Sequence, residues 1–444
     1  MPSARILNQL TASGILSRVV EVRPGESRAL LWSFAYFFCL LAAYYVLRPV
    51  RDEMGLASGI KNLPWLFTAT FFVMLAVVPV YGALVARISR KKFIPLVYHF
   101  FTANILIFWF MLTQGIALAP TAQVFFVWIS VFNLFAVSVF WSFMADLFGS
   151  EQGKRLFGFI AAGGSAGALL GPTIATTLAE PLGRANLLII AALLLQAAVF
   201  CAIRLETAAA EFKAQNPGSP QPQDSPQALG GSWIAGIGMI ARSPYLAGIA
   251  LWVALLSLAG TFLYFQQAEI VRALSDDPNK RTAIFARIDL AVSLLTIVVQ
   301  FFATGKLIQR FGAGAAAGFL PFVFALGFVA LWASPMLWVI IAFQAAQRAA
   351  NFAISNPARE VLFTVVEREE KYKAKNVIDN VVFRGSDMLS GWLFHALRGV
   401  GLELGAISLA TLPVVAAWLL LALKLGRMQE KRALGASPEA RKSP

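Results

Sequence analysis

Apolar stretches of about twenty residues recur along the whole chain of 444 residues, and each is long enough to cross a lipid bilayer as an α-helix. Hydrophobic residues make up 58% of the sequence and charged residues 14%, whereas soluble domains carry about 25% charged residues. The first stretch lacks a small-residue cleavage site and is followed by further stretches, so we expect a membrane helix there and not a signal peptide. The sequence therefore predicts an all-α polytopic membrane protein.

Length and hydropathy predict about twelve spans in two groups of six. The first group lies near 30–49, 63–86, 93–113, 121–146, 156–179 and 185–203. The second group lies near 245–267, 283–307, 314–333, 335–357, 377–399 and 404–425. Between them, residues 211–227 are rich in proline, glutamine and serine and cannot bury enough apolar surface to fold alone. The predicted organisation is an N-terminal segment at 1–29, bundles at 30–203 and 245–425, a linker at 204–244 and a tail at 426–444.

Lysine and arginine are concentrated in alternate loops, which predicts that both termini face the cytoplasm. The net charge of +14 would also suit a nucleic-acid partner, but positive loops explain it in a membrane chain, so we expect no nucleic-acid binding. The richer loops hold Arg87, Arg90, Lys91, Lys92, Lys154, Arg155, Lys306, Arg310, Arg359, Arg368, Lys371, Lys373 and Lys375. The poorer loops hold Arg51, Lys61, Arg184, Arg272, Lys280 and Arg281.

Two segments with glycine and arginine five residues apart follow the second and the eighth span. Gly82 and Arg87 belong to the first segment, and Gly305 and Arg310 to the second. Their matching positions indicate a duplication with parallel halves. The segments resemble the loop signature of the major facilitator superfamily, which implies two pseudo-symmetric six-helix bundles. In that family a glycine turn and its cations hold neighbouring helix ends together, so Arg87 and Arg310 are predicted gate residues.

Three further stretches resemble the ATP/ADP translocase family of bacterial parasites and plastids, in its wider bacterial branch. They are residues 44–52, residues 140–146 continuing into 154–158, and residues 372–379 continuing into 384–385. The resemblance implies nucleotide exchange across a membrane, here the bacterial cytoplasmic membrane. Arg51, Asp52, Asp379 and Arg384 match positions of that family, whereas Asp387 stands where the family carries a substrate-binding lysine.

Span ten carries a polar stripe in which Arg348 lies near the middle of the membrane. A guanidinium offers five donors in a fork that fits phosphate or carboxylate, so Arg348 is a candidate anion ligand. The alternative is a structural ion pair with Asp379 or Asp387. The stripe comprises Gln344, Gln347, Arg348, Asn351 and Ser355, and Gln344 and Asn351 are candidate substrate ligands with Arg348. Arg48 and Arg51, at the end of span one, are further candidate substrate ligands, with snorkelling as the alternative for Arg48.

Span eleven places Arg384 and Asp387 one turn apart, where they can pair within the helix. The pair predicts either a static structural element or a switch that substrate, or protonation of Asp387, would open. Arg384 is therefore a candidate substrate ligand, and Asp387 and Asp379 are candidates for ion coupling.

Charges at the ends of the spans are predicted gate residues. Asp146, Lys154 and Arg155 flank the end of span four, and Asp146 is expected to pair with Arg359 or Glu360 in one state of the transport cycle. Glu269 and Asp289, like Asp52, lie near the opposite ends of their spans, where we expect gate pairs or interface charges.

Together these features predict a secondary transporter of a small anionic solute, with nucleotide exchange as the leading hypothesis. The alternative is proton-coupled symport of another metabolite, a peptide or a sugar derivative. No Walker-type sequence appears, which argues against ATP hydrolysis as the driving force. The sequence also shows no nucleophile–base pair and no metal-ligand spacing, so we expect no enzyme, no cofactor and no metal centre. A monomer in the lipid bilayer is the expected state.

Overall fold

The computed structural model describes residues 26–87, 90–215 and 233–435, and these residues form helices joined by short turns, with no strand among them. The first six helices are α1 (Ser27–Ala57), α2 (Leu63–Arg87), α3 (Arg90–Thr113), α4 (Leu118–Leu147), α5 (Ser150–Leu182) and α6 (Leu187–Gln215). The others are α7 (Trp233–Arg242), α8 (Pro244–Leu274), α9 (Pro278–Ala333), α10 (Leu337–Ala350), α11 (Asn356–Leu362), α12 (Arg368–Val377), α13 (Phe383–Gly399) and α14 (Leu404–Gly435).

Eleven stretches within the described ranges are long and apolar enough to cross a membrane, which confirms the predicted all-α membrane fold. The stretch predicted as span eleven is not among them. It lies in the continuous helical run 368–399, which carries Asp379, Arg384, Asp387 and Arg398. These charges, and not a lack of length, separate this helix from the other eleven.

Several boundaries differ from the prediction, and helix α14 continues to Gly435, into the predicted tail. Helix α9 continues through 305–312, where a loop was expected, because leucine, glutamine, lysine and arginine in this segment all favour helix. Helix α6 extends into the predicted linker as far as Gln215, and α7 lies inside the same linker. The remainder of the linker, most of the N-terminal segment and the end of the tail lie outside the described residues.

The helices form two compact units. The first comprises Met1–Arg51 and Val78–Ala228, and the second comprises Asp52–Val77 and Leu229–Pro444. Helix α1 therefore begins in the first unit and ends in the second, while α2 does the reverse. The segment Asp52–Val77 contributes side chains to the core of the second unit.

Aromatic side chains fill the core of the first unit. The Tyr36 hydroxyl donates to the Tyr98 hydroxyl at 2.7 Å, and Tyr98 donates to the Ala136 carbonyl at 3.3 Å. The ring of Phe37 stacks on Phe140, with 4.1 Å between centroids. All four rings are buried, so each buried hydroxyl has a partner and the aromatic surfaces pack against one another.

Helix α5 approaches α1 closely along a line of glycines. A Cβ atom at Gly167 would overlap the carbonyl oxygen of Phe38 and crowd the amide nitrogen of Ala42. Gly163 and Gly171 face the α1 backbone in the same way. Small residues at this spacing allow two membrane helices to pack backbone to backbone.

The variant Gly167→Ala is expected to lose about 1–3 kcal/mol of stability, because the added methyl group forces α1 and α5 apart. Gly158→Ala, on the same helix, is the matched control, since a Cβ atom at Gly158 would meet no atom within 4 Å. Melting temperatures of the two purified variants in detergent provide the measurement. Equal melting temperatures for both variants and the parent would show that the close approach does not limit stability.

The second unit is built around α9, which packs against both α10 and α14. Its core includes Trp252 and Trp418, whose ring centroids lie 5.9 Å apart, with Phe324 at 5.5 Å from Trp418. From the segment Asp52–Val77, Phe67 packs at 5.5 Å from Phe265. The Trp392 indole donates to the Thr68 hydroxyl at 3.0 Å.

Two π-helical turns interrupt the second unit. Asn351–Ser355 joins α10 to α11, with the Asn356 amide donating to the Asn351 carbonyl, and Ile378–Val382 joins α12 to α13, with the Phe383 amide donating to Ile378. Pro357 follows the first turn and lacks the amide hydrogen that an α-helix would use at that position, which explains the wider turn there. Such turns are frequent at functional sites.

Candidate functional site

A polar cluster in the second unit surrounds Asp387. Helix α8 packs against α13 and brings Ser257 and Thr261 to this carboxylate. The Ser257 hydroxyl lies 2.7 Å from Oδ1 of Asp387, and the Thr261 hydroxyl lies 3.0 Å from the same oxygen. The Ser257 hydroxyl also lies 3.0 Å from the carbonyl oxygen of Phe383. Both hydroxyl residues are buried, so the cluster is enclosed by the two helices.

Arg384 lies beside this cluster and is more accessible. Its guanidinium is 3.5 Å from Oδ2 of Asp387, at the upper limit of a hydrogen bond, and 33% of its side chain is exposed. The predicted pairing of Arg384 with Asp387 is therefore present as a long contact. An arginine held this loosely can turn toward a bound anion without losing a strong bond.

Arg348 pairs with Asp289, a partner that was not considered from the sequence. Its guanidinium donates to Asp289 at 2.9 Å, and the carboxylate is almost fully buried. The reason is the packing of α10 against α9, which places Asp289 opposite the polar stripe. Asp289, predicted as a gate charge, thus belongs to an ion pair within the second unit.

Most amide side chains of the polar stripe form hydrogen bonds within the second unit. Gln344 donates to Gln267 at 2.6 Å and accepts from Gln347 at 3.0 Å, and all three side chains are buried. Oδ1 of Asn351 is buried with no hydrogen-bond partner among the described residues. The π turn at 351–355 changes the helical register after Asn351, so Ser355 does not continue the stripe at α-helical spacing.

Two ion pairs link α11 to the helical run that follows it. Arg359 donates to Asp379 at 3.0 Å, and Lys375 bonds Glu360. Arg359 and Glu360 were the two alternative partners expected for Asp146 in one state of the transport cycle, and in this structure they bond Asp379 and Lys375. Asp379 therefore holds a structural contact from within the second π turn.

Charges also meet near the ends of α1 and α8. Arg281 bonds the fully buried Glu53 at 2.8 Å, and Tyr264 donates to Asp52 at 3.2 Å. Arg398 bonds Glu269 at 2.8 Å. The predicted gate residues Asp52 and Glu269 thus take part in contacts that tie separate helices together.

The predicted residues of the first unit lie among aromatic and charged neighbours. The Arg51 guanidinium lies 4.3 Å from the centroid of the Phe126 ring, and that of Arg48 lies 5.8 Å from Tyr45. Arg155 bonds the buried Glu26 at 3.1 Å. Asp146 is half-buried near the end of α4. The side chains of Arg87, Lys154 and Arg310 lie outside the described residues.

Sequence reasoning missed Ser257, Thr261, Glu53 and Arg281 as site residues. The two hydroxyl residues are spaced by four in an otherwise apolar run, which places them on one helix face and was a usable signal. Glu53 and Arg281 carry no comparable signal, because their contact joins residues more than two hundred positions apart.

Comparison with known proteins agrees with this architecture, although no protein-family model matches the chain. The ADP,ATP carrier protein 1 of Chlamydia trachomatis serovar D is 22% identical, and the match covers 93% of this chain and 93% of that protein. The ADP,ATP carrier protein 1 of Chlamydia pneumoniae is 21% identical over 43% of this chain and 41% of that protein.

Solved structures of transporters share the fold. A bacterial homologue of the human lysosomal transporter Spinster matches with a TM-score of 0.53 and 14% identity, covering 94% of this chain and all of that chain. A variant of the nucleoside transporter NupG matches with a TM-score of 0.59 and 13% identity, covering 91% of this chain and 99% of that chain. The chain is therefore a polytopic membrane protein with the major facilitator fold, and it resembles the ADP,ATP carrier proteins.

Proposed function

We propose that this protein is a secondary transporter that exchanges nucleotides by alternating access, as a monomer in the bacterial cytoplasmic membrane with both termini in the cytoplasm. The observation that carries the proposal is the accessible guanidinium of Arg384 near the middle of the helical run 368–399. A charge at this depth is costly in lipid and is usually retained for a substrate or ion path.

The chemistry of Arg384 supports an anionic substrate. A guanidinium binds two phosphate oxygens at once through its planar fork, and the surrounding low dielectric strengthens that contact. Arg348 is a second candidate ligand, although it is already bonded to Asp289. The resemblance to ADP,ATP carrier proteins over 93% of both chains makes a nucleotide the leading candidate among anions.

Uptake into liposomes tests the proposal. The full-length protein is reconstituted into vesicles with or without internal ADP, and uptake of labelled ATP is followed. We expect saturable uptake that requires internal ADP, because an exchanger returns to its outward state only when loaded. A pH gradient across the same vesicles distinguishes exchange from proton symport. No uptake into ADP-loaded vesicles by monodisperse protein would reject nucleotide exchange.

A further inference from the structure

A cavity of about 720 Å³ lies at the end of α8, within the second unit. Its volume is within the range of about 300–1,000 Å³ that is usual for small-molecule sites. We propose that this cavity binds the headgroup of a zwitterionic phospholipid, with phosphatidylethanolamine as the preferred lipid. The lining residues that bear on its ligand are Ile60, Glu269, Arg272, Leu274, Ser275 and Asp276.

The cavity lies at the depth of lipid headgroups. It is lined by the last turns of the apolar span Pro244–Leu274 and by the connection to the next span, which begins at Pro278. Ile60, between α1 and α2, completes the lining. Five residues further on, Trp65 is 61% exposed and packs edge to face on Trp392, with 4.9 Å between the ring centroids. Exposed tryptophans are typical of the membrane–water interface, which places this end of the unit there.

Two charged side chains in the cavity are available to a ligand. The carboxylate of Glu269 is not one of them, because Arg398 bonds it at 2.8 Å. Arg272 and Asp276 are exposed, and neither forms an ion pair with another of the described residues. Their opposite charges match a zwitterion, whereas the several negative charges of a nucleotide would be repelled by Asp276. The cavity is therefore distinct from the candidate anion site at Arg384.

The chemistry of these two residues orients the headgroup. A guanidinium binds phosphate through two parallel hydrogen bonds, so Arg272 would hold the phosphate. Asp276 would hold the ammonium group, and the carbonyl groups at the carboxyl end of α8 favour a cation near the same position. The exposed side chain of Leu274 offers apolar surface to the glycerol and the first methylene groups of the lipid.

The lining distinguishes ethanolamine from choline. A primary ammonium has three hydrogens to donate to a carboxylate, whereas the quaternary ammonium of choline has none and is recognised by aromatic faces. Aromatic side chains are absent from the described residues that line the cavity. The carboxylate of Asp276 thus favours phosphatidylethanolamine over phosphatidylcholine.

Thermal stability of the purified full-length protein tests the site and needs no transport. Melting temperatures are measured in one detergent with increasing dioctanoyl phosphatidylethanolamine, phosphatidylcholine or phosphatidylglycerol, which share the same acyl chains. We expect a saturable increase at the lowest concentration with phosphatidylethanolamine, because a ligand that binds only the folded state stabilises it. Equal responses to the three lipids, or no response, would overturn the proposal. An equal response to soluble phosphoethanolamine would also overturn it, since the ligand would then be a free solute and not a lipid.

Substitutions of the two charged residues test the assigned contacts. Arg272→Gln removes the phosphate contact, so the half-saturating concentrations of phosphatidylethanolamine and phosphatidylcholine should both rise about tenfold. Asp276→Asn removes the ammonium contact, so phosphatidylethanolamine should lose its advantage over phosphatidylcholine. Lys280→Gln is the matched control, because Lys280 is also exposed but does not line the cavity. Lipid responses like those of the parent in both variants would reject the assigned residues.

Discussion

Replacement of Arg384 by glutamine is expected to reduce nucleotide exchange about a hundredfold while the protein remains folded. The side chain is one-third exposed, and its ion pair with Asp387 is long, so little folding energy depends on it. Asp387 keeps its hydrogen bonds from Ser257 and Thr261 when the arginine is removed. The loss should therefore fall on substrate binding, which the concentration dependence of ATP uptake into ADP-loaded vesicles measures.

Two further variants define what Arg384 contributes. Arg384→Lys keeps the charge but loses the planar fork, so we expect an intermediate rate if the arginine binds phosphate with two donors. Arg242→Gln removes an exposed arginine at the end of α7 and should exchange nucleotides like the parent. Full activity in Arg384→Gln would assign substrate binding to another residue.

Replacement of Asp289 by alanine is expected to destabilise the protein by about 3 kcal/mol, because it leaves the Arg348 guanidinium buried without its carboxylate. The double variant Asp289→Leu with Arg348→Met removes both charges and fills a similar volume, so it should recover most of the stability. Melting temperatures in detergent test both expectations. A double variant as unstable as the single one would show that stability depends on the ion pair itself and not on the cost of an isolated charge.

Transport by the same double variant separates the two roles considered for Arg348. A folded double variant that still fails to exchange nucleotides would assign substrate binding to Arg348. Recovered exchange would limit Arg348 to the packing of α10 against α9. Asp289 is the appropriate partner for this experiment, because its almost fully buried carboxylate bonds Arg348 directly.

The membrane fold could be predicted from the sequence because each span needs only length and apolar composition, which are local properties. The helical run 368–399 shows the limit of that rule. Its charges reduce its hydropathy, yet it packs against neighbouring helices as part of the bundle. The continuation of α9 through 305–312 was missed because two glycines and two cations suggested a turn, whereas the local helix propensity prevailed.

Site residues with conspicuous charges could be predicted from the sequence, whereas residues that are identified only by their contacts were missed. Arg384 and Asp387 were identified because two charges one turn apart are conspicuous within a predicted span. The partner of Arg348 could not be deduced, because it depends on which face of α9 meets α10. Ser257 and Thr261 were missed because hydroxyl groups are common in membrane helices and become notable only beside a carboxylate.

The two π turns also bear on how this chain should be aligned with its relatives. A π turn holds one residue more than the α-helical turn it replaces, which is the change that inserting a single residue into an α-helix makes. Relatives with regular helices should therefore align with a one-residue gap inside 351–355 and another inside 378–382. Removing one residue from 351–355 would rotate the rest of that helix by about 100° and turn Arg359 away from Asp379. The extra residue in 351–355 therefore sets which side of the helix Arg359 occupies, and with it the ion pair to Asp379.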